Sequence, residues 1–155
     1  MNRRRWLATT APRATLWIRI AAAAVFITEG VLKVSDPAVF AAGRFAKIGI
    51  PMPGVSGPFV TGVEVLGGVL LLLGLATRFA AIALAIDMVV ALVSTKLPIL
   101  VGHGVLGFAA ATARPGFWSM LHEARTDISM LFATIFLSIV GAGAISLDAR
   151  IAPKS

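Results

Sequence analysis

Four apolar stretches of 17 or 18 residues dominate this chain of 155 residues. They cover residues 16–33, 58–75, 79–95 and 128–145. A helix crosses the hydrocarbon core of a bilayer with about 20 apolar residues, and about 17 are enough. Backbone groups in lipid must find hydrogen bonds within their own segment, so each stretch predicts a membrane-spanning helix. We therefore predict an all-α protein, an integral membrane four-helix bundle that forms one transmembrane domain over residues 1–155.

The composition agrees with a membrane protein. Hydrophobic residues make up 58% of the chain and charged residues 14%, and the mean hydropathy is +0.92. The net charge of +7 comes from basic residues that we expect to flank spans and face anionic lipid head groups, so we predict the bilayer and no nucleic acid as a partner. The absence of cysteine excludes disulfides, iron–sulfur ligation by cysteine and covalent c-type haem attachment.

The segment 97–113 is also apolar, but it contains Pro98, His103 and three glycines. These residues disfavour a continuous helix. We predict an apolar connector that is interfacial or partly re-entrant, and a fifth span is the alternative. Four spans place both termini on one side of the membrane. The distribution of Lys and Arg favours cytoplasmic termini in a multi-pass protein of the bacterial cytoplasmic (inner) membrane.

A short helix is predicted in the loop after the first span. Asp36 is a good N-cap and Pro37 suits the first helical position. The following residues, AVFAAGRFAKI, mix large apolar with basic side chains, and Gly49 is a good helix stop. This pattern predicts a short helix lying at the membrane interface.

Ionisable residues interrupt the apolar spans, although a charge at the bilayer centre costs about 2.5–3.5 kcal/mol. The acids of the second, third and fourth segments lie on helical stripes of small or hydroxyl-bearing residues, which favours positions inside the bundle. The predicted polar-pocket and proton-handling residues are Glu29, Lys33, Glu64, Asp87 and Asp127, and the predicted orienting cations are Arg19 and Arg78. With the N-terminus inside, the pocket opens towards the outer face.

Two interpretations of these charges stay open. In the structural one, Glu29 and Lys33 form an i,i+4 ion pair and the other charges neutralise one another to set helix register. In the functional one, the pocket binds a small molecule or relays protons. We favour the second because four acids on four spans exceed what register requires. No nucleophile–base, Walker-type or zinc-binding spacing is present, so no catalytic residue and no metal site is predicted.

Several short motifs, in their order and spacing, resemble the DoxX family of small bacterial membrane proteins. The matching residues are Arg19, Glu29-Gly30, Lys33, Gly49-Ile50-Pro51-Met52-Pro53, Glu64, Gly67-Gly68, Leu73-Gly74-Leu75, Arg78, Asp87-Met88, Gly141-Ala142-Gly143 and Ser146-Leu147-Asp148. The likeness covers residues 16–150 and implies a four-helix membrane protein. The family is named for the small subunit of an archaeal thiosulfate:quinone oxidoreductase, and some members resemble partners in a membrane oxidoreductase complex that handles oxidative and thiol stress.

The leading hypothesis is therefore a membrane subunit of a redox complex linked to sulfur or oxidative-stress metabolism. It would dock a partner oxidoreductase and bind a quinone without a covalent cofactor, with Glu64 or Asp87 exchanging protons and Lys33 or Arg78 orienting the substrate. The alternative is a non-redox carrier of protons or small molecules, or a membrane scaffold for a partner protein. Ala81 and Ala85 form a small-xxx-small face that is compatible with a homodimer.

Overall fold

The computed structural model describes residues 7, 9, 11–110 and 114–151. In this part of the chain the regular structure is helical, apart from an isolated antiparallel bridge between Val105 and Phe108. The helices are α1 (Thr15–Ser35), α2 (Pro37–Phe40), α3 (Ala42–Ile48), α4 (Pro53–Leu73), α5 (Thr77–Ala91), α6 (Leu97–Val101), α7 (Phe117–Val140) and α8 (Leu147–Ile151), with a π-helical turn (Leu92–Lys96) between α5 and α6. The predicted all-α class is confirmed.

Three continuous helical segments are long and apolar enough to cross a membrane. They are Thr15–Ser35, Pro53–Leu73 and Thr77–Val101, and the last runs through α5, the π-helical turn and α6. They correspond to the first three predicted spans. The fourth, 128–145, corresponds to α7, which begins earlier, at Phe117, and carries Glu123, Arg125 and Asp127 before the apolar stretch. It ends at Val140, where Gly141 follows with a φ of 83°. That α7 crosses the membrane stays a prediction.

The segment 97–113 is helical over Leu97–Val101, where Pro98 occupies the first turn. Gly102, with a φ of 80°, ends this helix, and an irregular loop follows up to residue 110. Residues 111–113 lie outside the described part. Leu97–Val101 therefore continue the third candidate span, and a connector can begin only at Gly102. Its interfacial or partly re-entrant position stays a prediction.

The predicted short helix after the first span is present in two pieces. The Asp36 carboxylate accepts a hydrogen bond from the Val39 amide at 3.2 Å, as the N-cap interpretation requires. Gly49 ends α3 in the left-handed region with a φ of 85°. The helix is interrupted between α2 and α3 at Ala41, whose φ and ψ of −121° and −110° are not helical.

The four long helices α1, α4, α5 and α7 pack around one core. Its buried apolar residues are Ala22, Ala23, Phe26, Leu71, Ala80, Ala81, Leu84, Met88 and Leu137. Because Ala81 is buried within the chain's own core, the predicted Ala81–Ala85 face is not available to a second copy. Glycines allow α4 to approach its neighbours closely: an added Cβ at Gly68 would lie 2.8 Å from Cγ1 of Ile27, and one at Gly67 would lie 2.9 Å from Cγ of Leu84. The stripe of small residues beside Glu64 therefore does face the interior of the bundle.

Candidate functional site

A cavity of about 600 Å³ lies at one end of the bundle. It is surrounded by the ends of α1 and α5 and the beginnings of α4 and α7, while Phe40 and Phe45 contribute from α2 and α3. All five predicted pocket residues line it: Glu29, Lys33, Glu64, Asp87 and Asp127. The structure thus brings together five groups from four helices, and their chemical role stays a prediction.

Glu64 and Asp87 meet because α4 and α5 are antiparallel and share a short connection. Gly67 of α4 faces Leu84 of α5, because a Cβ added at Gly67 would lie 2.9 Å from Cγ of Leu84. Moving one helical turn away from the connection leads from Gly67 to Glu64 and from Leu84 to Asp87. Both carboxyl groups consequently lie on facing stripes and are within hydrogen-bonding reach of each other.

Lys33 forms the strongest link across the cavity. Its Nζ donates to Oε1 and Oε2 of Glu64, both at 2.5 Å, and the Glu64 side chain is 4% exposed. The predicted Glu29–Lys33 pair is also present, at a longer 3.9 Å, with the Glu29 side chain 52% exposed. Sequence reasoning missed the interhelical bond. Gly30 was the available signal, because it packs against Val65 of α4 and lies one turn before Lys33.

Among the described lining residues, Asp87 is the one with a buried side-chain atom that lacks a hydrogen bond. Its Oδ2 atom is buried and has no hydrogen-bond partner among the described residues. In the same part of the chain, no Lys or Arg nitrogen forms a salt bridge with it. A buried carboxyl oxygen without a hydrogen bond is costly. A ligand that donates a hydrogen bond, or a proton, would remove that cost.

The π-helical turn directs the Lys96 side chain towards the cavity. In a straight α-helix, Lys96 would lie about 180° around the axis from Asp87, because each residue turns the helix by about 100°. The wider π-helical turn over Leu92–Lys96 shifts this register. As a result Nζ of Lys96 lies 3.3 Å from Oδ2 of Asp127 on α7. No signal in the sequence identified this turn.

The remaining lining of the cavity is largely apolar and partly aromatic. Phe26 and Met88 belong to the buried core, and Phe45 and Ile48 of α3 are also buried. The cavity therefore combines an acidic and basic floor with apolar walls, which is the usual arrangement of a site for a small amphipathic molecule.

Arg19 lies at the opposite end of the bundle and does not belong to the described cavity lining. Its buried guanidinium donates to the carbonyl oxygens of Leu71 and Leu72 at 2.7 and 2.8 Å, and to those of Ala142 and Ile145 at 2.9 and 2.7 Å. We call this group of bonds the Arg19 clamp. It joins α1 to the end of α4 and to the segment after α7, so the predicted orienting role does not apply at this cavity.

Arg78 also lies away from the lining of the cavity as far as the chain is described. Its guanidinium donates to the carbonyl oxygens of Ser138, at 2.9 Å, and of Ile139, so it caps the end of α7. Asp148 acts in a similar way on α5, because its carboxylate accepts from the amides of Ala76 and Thr77 at 2.8 and 3.0 Å. The described lining of the cavity contains four cations, Lys33, Arg44, Lys96 and Arg125. Of these, Lys33 and Lys96 form salt bridges with acids of the cavity.

Comparison with known proteins places the chain in a family. The sequence matches DoxX over residues 14–97, which is more than half of its length. The chain belongs to the DoxX family. It is 43% identical over 151 residues to an uncharacterized membrane protein of Mycobacterium tuberculosis, covering 97% of this chain and 89% of that protein. It is 30% identical over 145 residues to an uncharacterized protein of Haemophilus influenzae, covering 92% and 94%. No solved structure matches it.

The family match confirms the resemblance seen in the motifs and identifies a DoxX membrane protein. Four of the five pocket residues lie within the matched segment, namely Glu29, Lys33, Glu64 and Asp87. Asp127 lies outside it. The interhelical bond between α1 and α4 and the carboxyl contact between α4 and α5 are therefore built within the matched part of this DoxX protein.

Proposed function

We propose that this DoxX protein is a membrane subunit of a redox complex and that its cavity binds the head group of a quinone. The observation that carries the proposal is the buried, unpartnered Oδ2 atom of Asp87 beside the Lys33–Glu64 pair. These groups lie in a cavity with apolar walls and a volume of about 600 Å³, which is within the range of small-molecule sites.

The lining offers the contacts that a quinone head group needs. The flat ring would pack against apolar side chains such as Phe26 and Met88. Carbonyl oxygens of the quinone would accept hydrogen bonds from ammonium groups, of which Lys33 and Lys96 are the candidates. After reduction, a quinol hydroxyl would donate to Oδ2 of Asp87, the atom of this carboxyl group that has no partner among the described residues.

The proposed reaction assigns protons to this chain and electrons to a partner. Reduction of a quinone to a quinol takes two electrons and two protons. We assign the electrons to a partner oxidoreductase, because this chain has no cysteine to exchange electrons through a disulfide. Asp87 and Glu64 would exchange the protons, and Glu29, whose side chain is half exposed, would connect them with the aqueous phase.

Binding of a quinol analogue to the purified protein in lipid nanodiscs tests this proposal. Asp87→Asn should weaken binding by roughly tenfold or more, because a hydrogen bond to a charged group contributes about 1.5–3 kcal/mol. Asp36→Asn is the matched control, since it makes the same change at the cap of α2, where Asn also caps well. Absence of binding in the unmodified protein, or equal affinity in the two variants, would reject the quinone role.

A carrier of protons or small molecules is the second candidate. It is favoured by the row of carboxyl groups that leads from the half-exposed Glu29 past Lys33 and Glu64 to Asp87. Acids within membrane helices commonly mark proton pathways. Proton uptake into proteoliposomes that needs Glu64 but no quinone would support this candidate and would argue against the redox role.

A further inference from the structure

Some side chains of α4 and α5 that line the cavity are also exposed. Phe59 and Val60 of α4, and Val90 and Ala91 of α5, all line the cavity. Phe59 is nevertheless 68% exposed and Val90 is 48% exposed. Side chains that line a cavity and also face the outside mark an opening between the two helices. We call this opening the α4–α5 cleft and define it by these four residues.

The packing of α4 and α5 explains the position of the cleft. Near their connection the helices are close, because Gly67 has no side chain and Leu84 fills the space against it. One turn beyond the Glu64–Asp87 contact, Val60 and Ala91 occupy the facing positions. At this level the pair no longer closes the wall, and both residues are only partly buried.

The cleft faces lipid rather than water. Its residues belong to two of the segments that are long and apolar enough to span a membrane, Pro53–Leu73 and Thr77–Val101. All four side chains of the cleft are apolar. The charged residues that line the cavity belong to other positions, among them Lys33 and Glu64 at its floor, Arg44 of α3, and the paired Lys96 and Asp127 beside α7. A molecule passing through the cleft would thus move from an apolar surrounding to a polar one.

We propose that the α4–α5 cleft is a lateral entrance that admits a long-chain, lipid-soluble ligand from the bilayer and holds its apolar chain. The head group would lie at Asp87 while the chain leaves between Phe59 and Val90. This assignment rests on the proposed function for the head group and adds the class of ligand, a molecule with an extended apolar tail. A water-soluble ligand would use the charged side beside α7 instead.

The entrance can be tested without a quinone. Because the natural chain has no cysteine, Ala91→Cys provides a single thiol in the cleft. In proteoliposomes, the labelling rate of this thiol is measured with a long-chain alkyl maleimide, which dissolves in the bilayer, and with a sulfonated maleimide, which stays in water. Val90→Trp is added to fill the cleft. Val89→Trp is the matched control, because Val89 is 47% exposed and is not among the described lining residues.

Val90→Trp should slow labelling by the alkyl maleimide by at least about tenfold, because the observed rate falls with the fraction of molecules in which the cleft is open. Val89→Trp should leave both rates within about a factor of two, and the sulfonated reagent should respond to neither substitution. Equal effects of the two tryptophans on the alkyl reagent, or equal slowing of both reagents by Val90→Trp, would overturn the entrance.

The two proposals can fail separately. If the unmodified protein binds no quinone but Val90→Trp still slows the alkyl reagent selectively, the entrance stands and the quinone head group is rejected. If a quinol analogue binds and depends on Asp87 but Val90→Trp has no selective effect, the head-group site stands and the lateral entrance is rejected.

Discussion

Replacing Arg19 by methionine tests the Arg19 clamp, which lies at the end of the bundle opposite the cavity. The Arg19 side chain is buried, and the residue is 1% exposed. Its guanidinium donates four hydrogen bonds, to the carbonyl oxygens of Leu71, Leu72, Ala142 and Ile145, at 2.7–2.9 Å. Methionine keeps an unbranched side chain of similar length and removes every donor, so these oxygens lose their charged partner.

The expected loss of stability follows from two opposing contributions. Four hydrogen bonds to a charged group are worth about 6–12 kcal/mol in total, at about 1.5–3 kcal/mol each. Removing the buried guanidinium also removes its desolvation cost of several kcal/mol. We expect a net loss of about 3–5 kcal/mol, which is the usual range when one partner of a buried charged network is removed. That is a large share of a total stability of about 5–15 kcal/mol.

Thermal and denaturant unfolding in detergent micelles measure this loss. Arg13→Met is the matched control, since Arg13 is exposed just before α1. A double-mutant cycle with Asp148→Asn should show coupling of about 0.5–3 kcal/mol, because Arg19 binds the end of α4 and Asp148 binds the connection that follows it. The reasoning is refuted if the free energies of unfolding of Arg19→Met and of the Arg13→Met control differ by less than about 1 kcal/mol. Such a difference is below the range expected for removing one partner of a buried charged network.

Two further substitutions test the packing and the ion pair. Gly68→Ala should lower the free energy of unfolding by about 1–3 kcal/mol, because its Cβ would meet Ile27 at 2.8 Å, whereas Gly62→Ala, whose Cβ meets no described atom within 4 Å, should be neutral or gain up to about 1 kcal/mol. Equal unfolding midpoints for these two variants would contradict the close approach of α1 and α4. Lys33→Met should cost about 3–5 kcal/mol by leaving Glu64 buried without its cation, and adding Glu64→Gln should restore much of it. A single Lys33→Met variant as stable as the double variant would speak against the ion pair.

Much of the fold follows from the sequence because the bilayer permits few structures. Apolar segments of sufficient length have to be helical there, and the first three spans were found from this rule alone. The position of Glu64 and Asp87 inside the bundle also follows from the sequence, since each lies on a stripe of small residues. Both rules depend on periodicity along one helix, which the sequence displays directly.

Other features depend on how the helices rotate against one another. Lys33 has an acid one turn away on its own helix, and only the packing of Gly30 against α4 shows that Glu64 is the closer partner. The π-helical turn that orients Lys96 has no recognisable sequence pattern. Arg19 is predicted to orient a substrate, but its buried guanidinium is bound by backbone carbonyl oxygens, which a pattern of side chains along the sequence does not reveal.

The Arg19 clamp also determines when this molecule can finish assembling. Two of its acceptors, at Ala142 and Ile145, follow Arg19 by 123 and 126 positions along the chain. At a synthesis rate of about 5–20 residues per second, α1 waits roughly 6–25 s after translation of Arg19 before those carbonyl groups exist. During this interval the guanidinium has to rely on water, lipid head groups or the insertion machinery. The clamp therefore closes late in synthesis, and a chain that stops before residue 142 lacks two of its four acceptors.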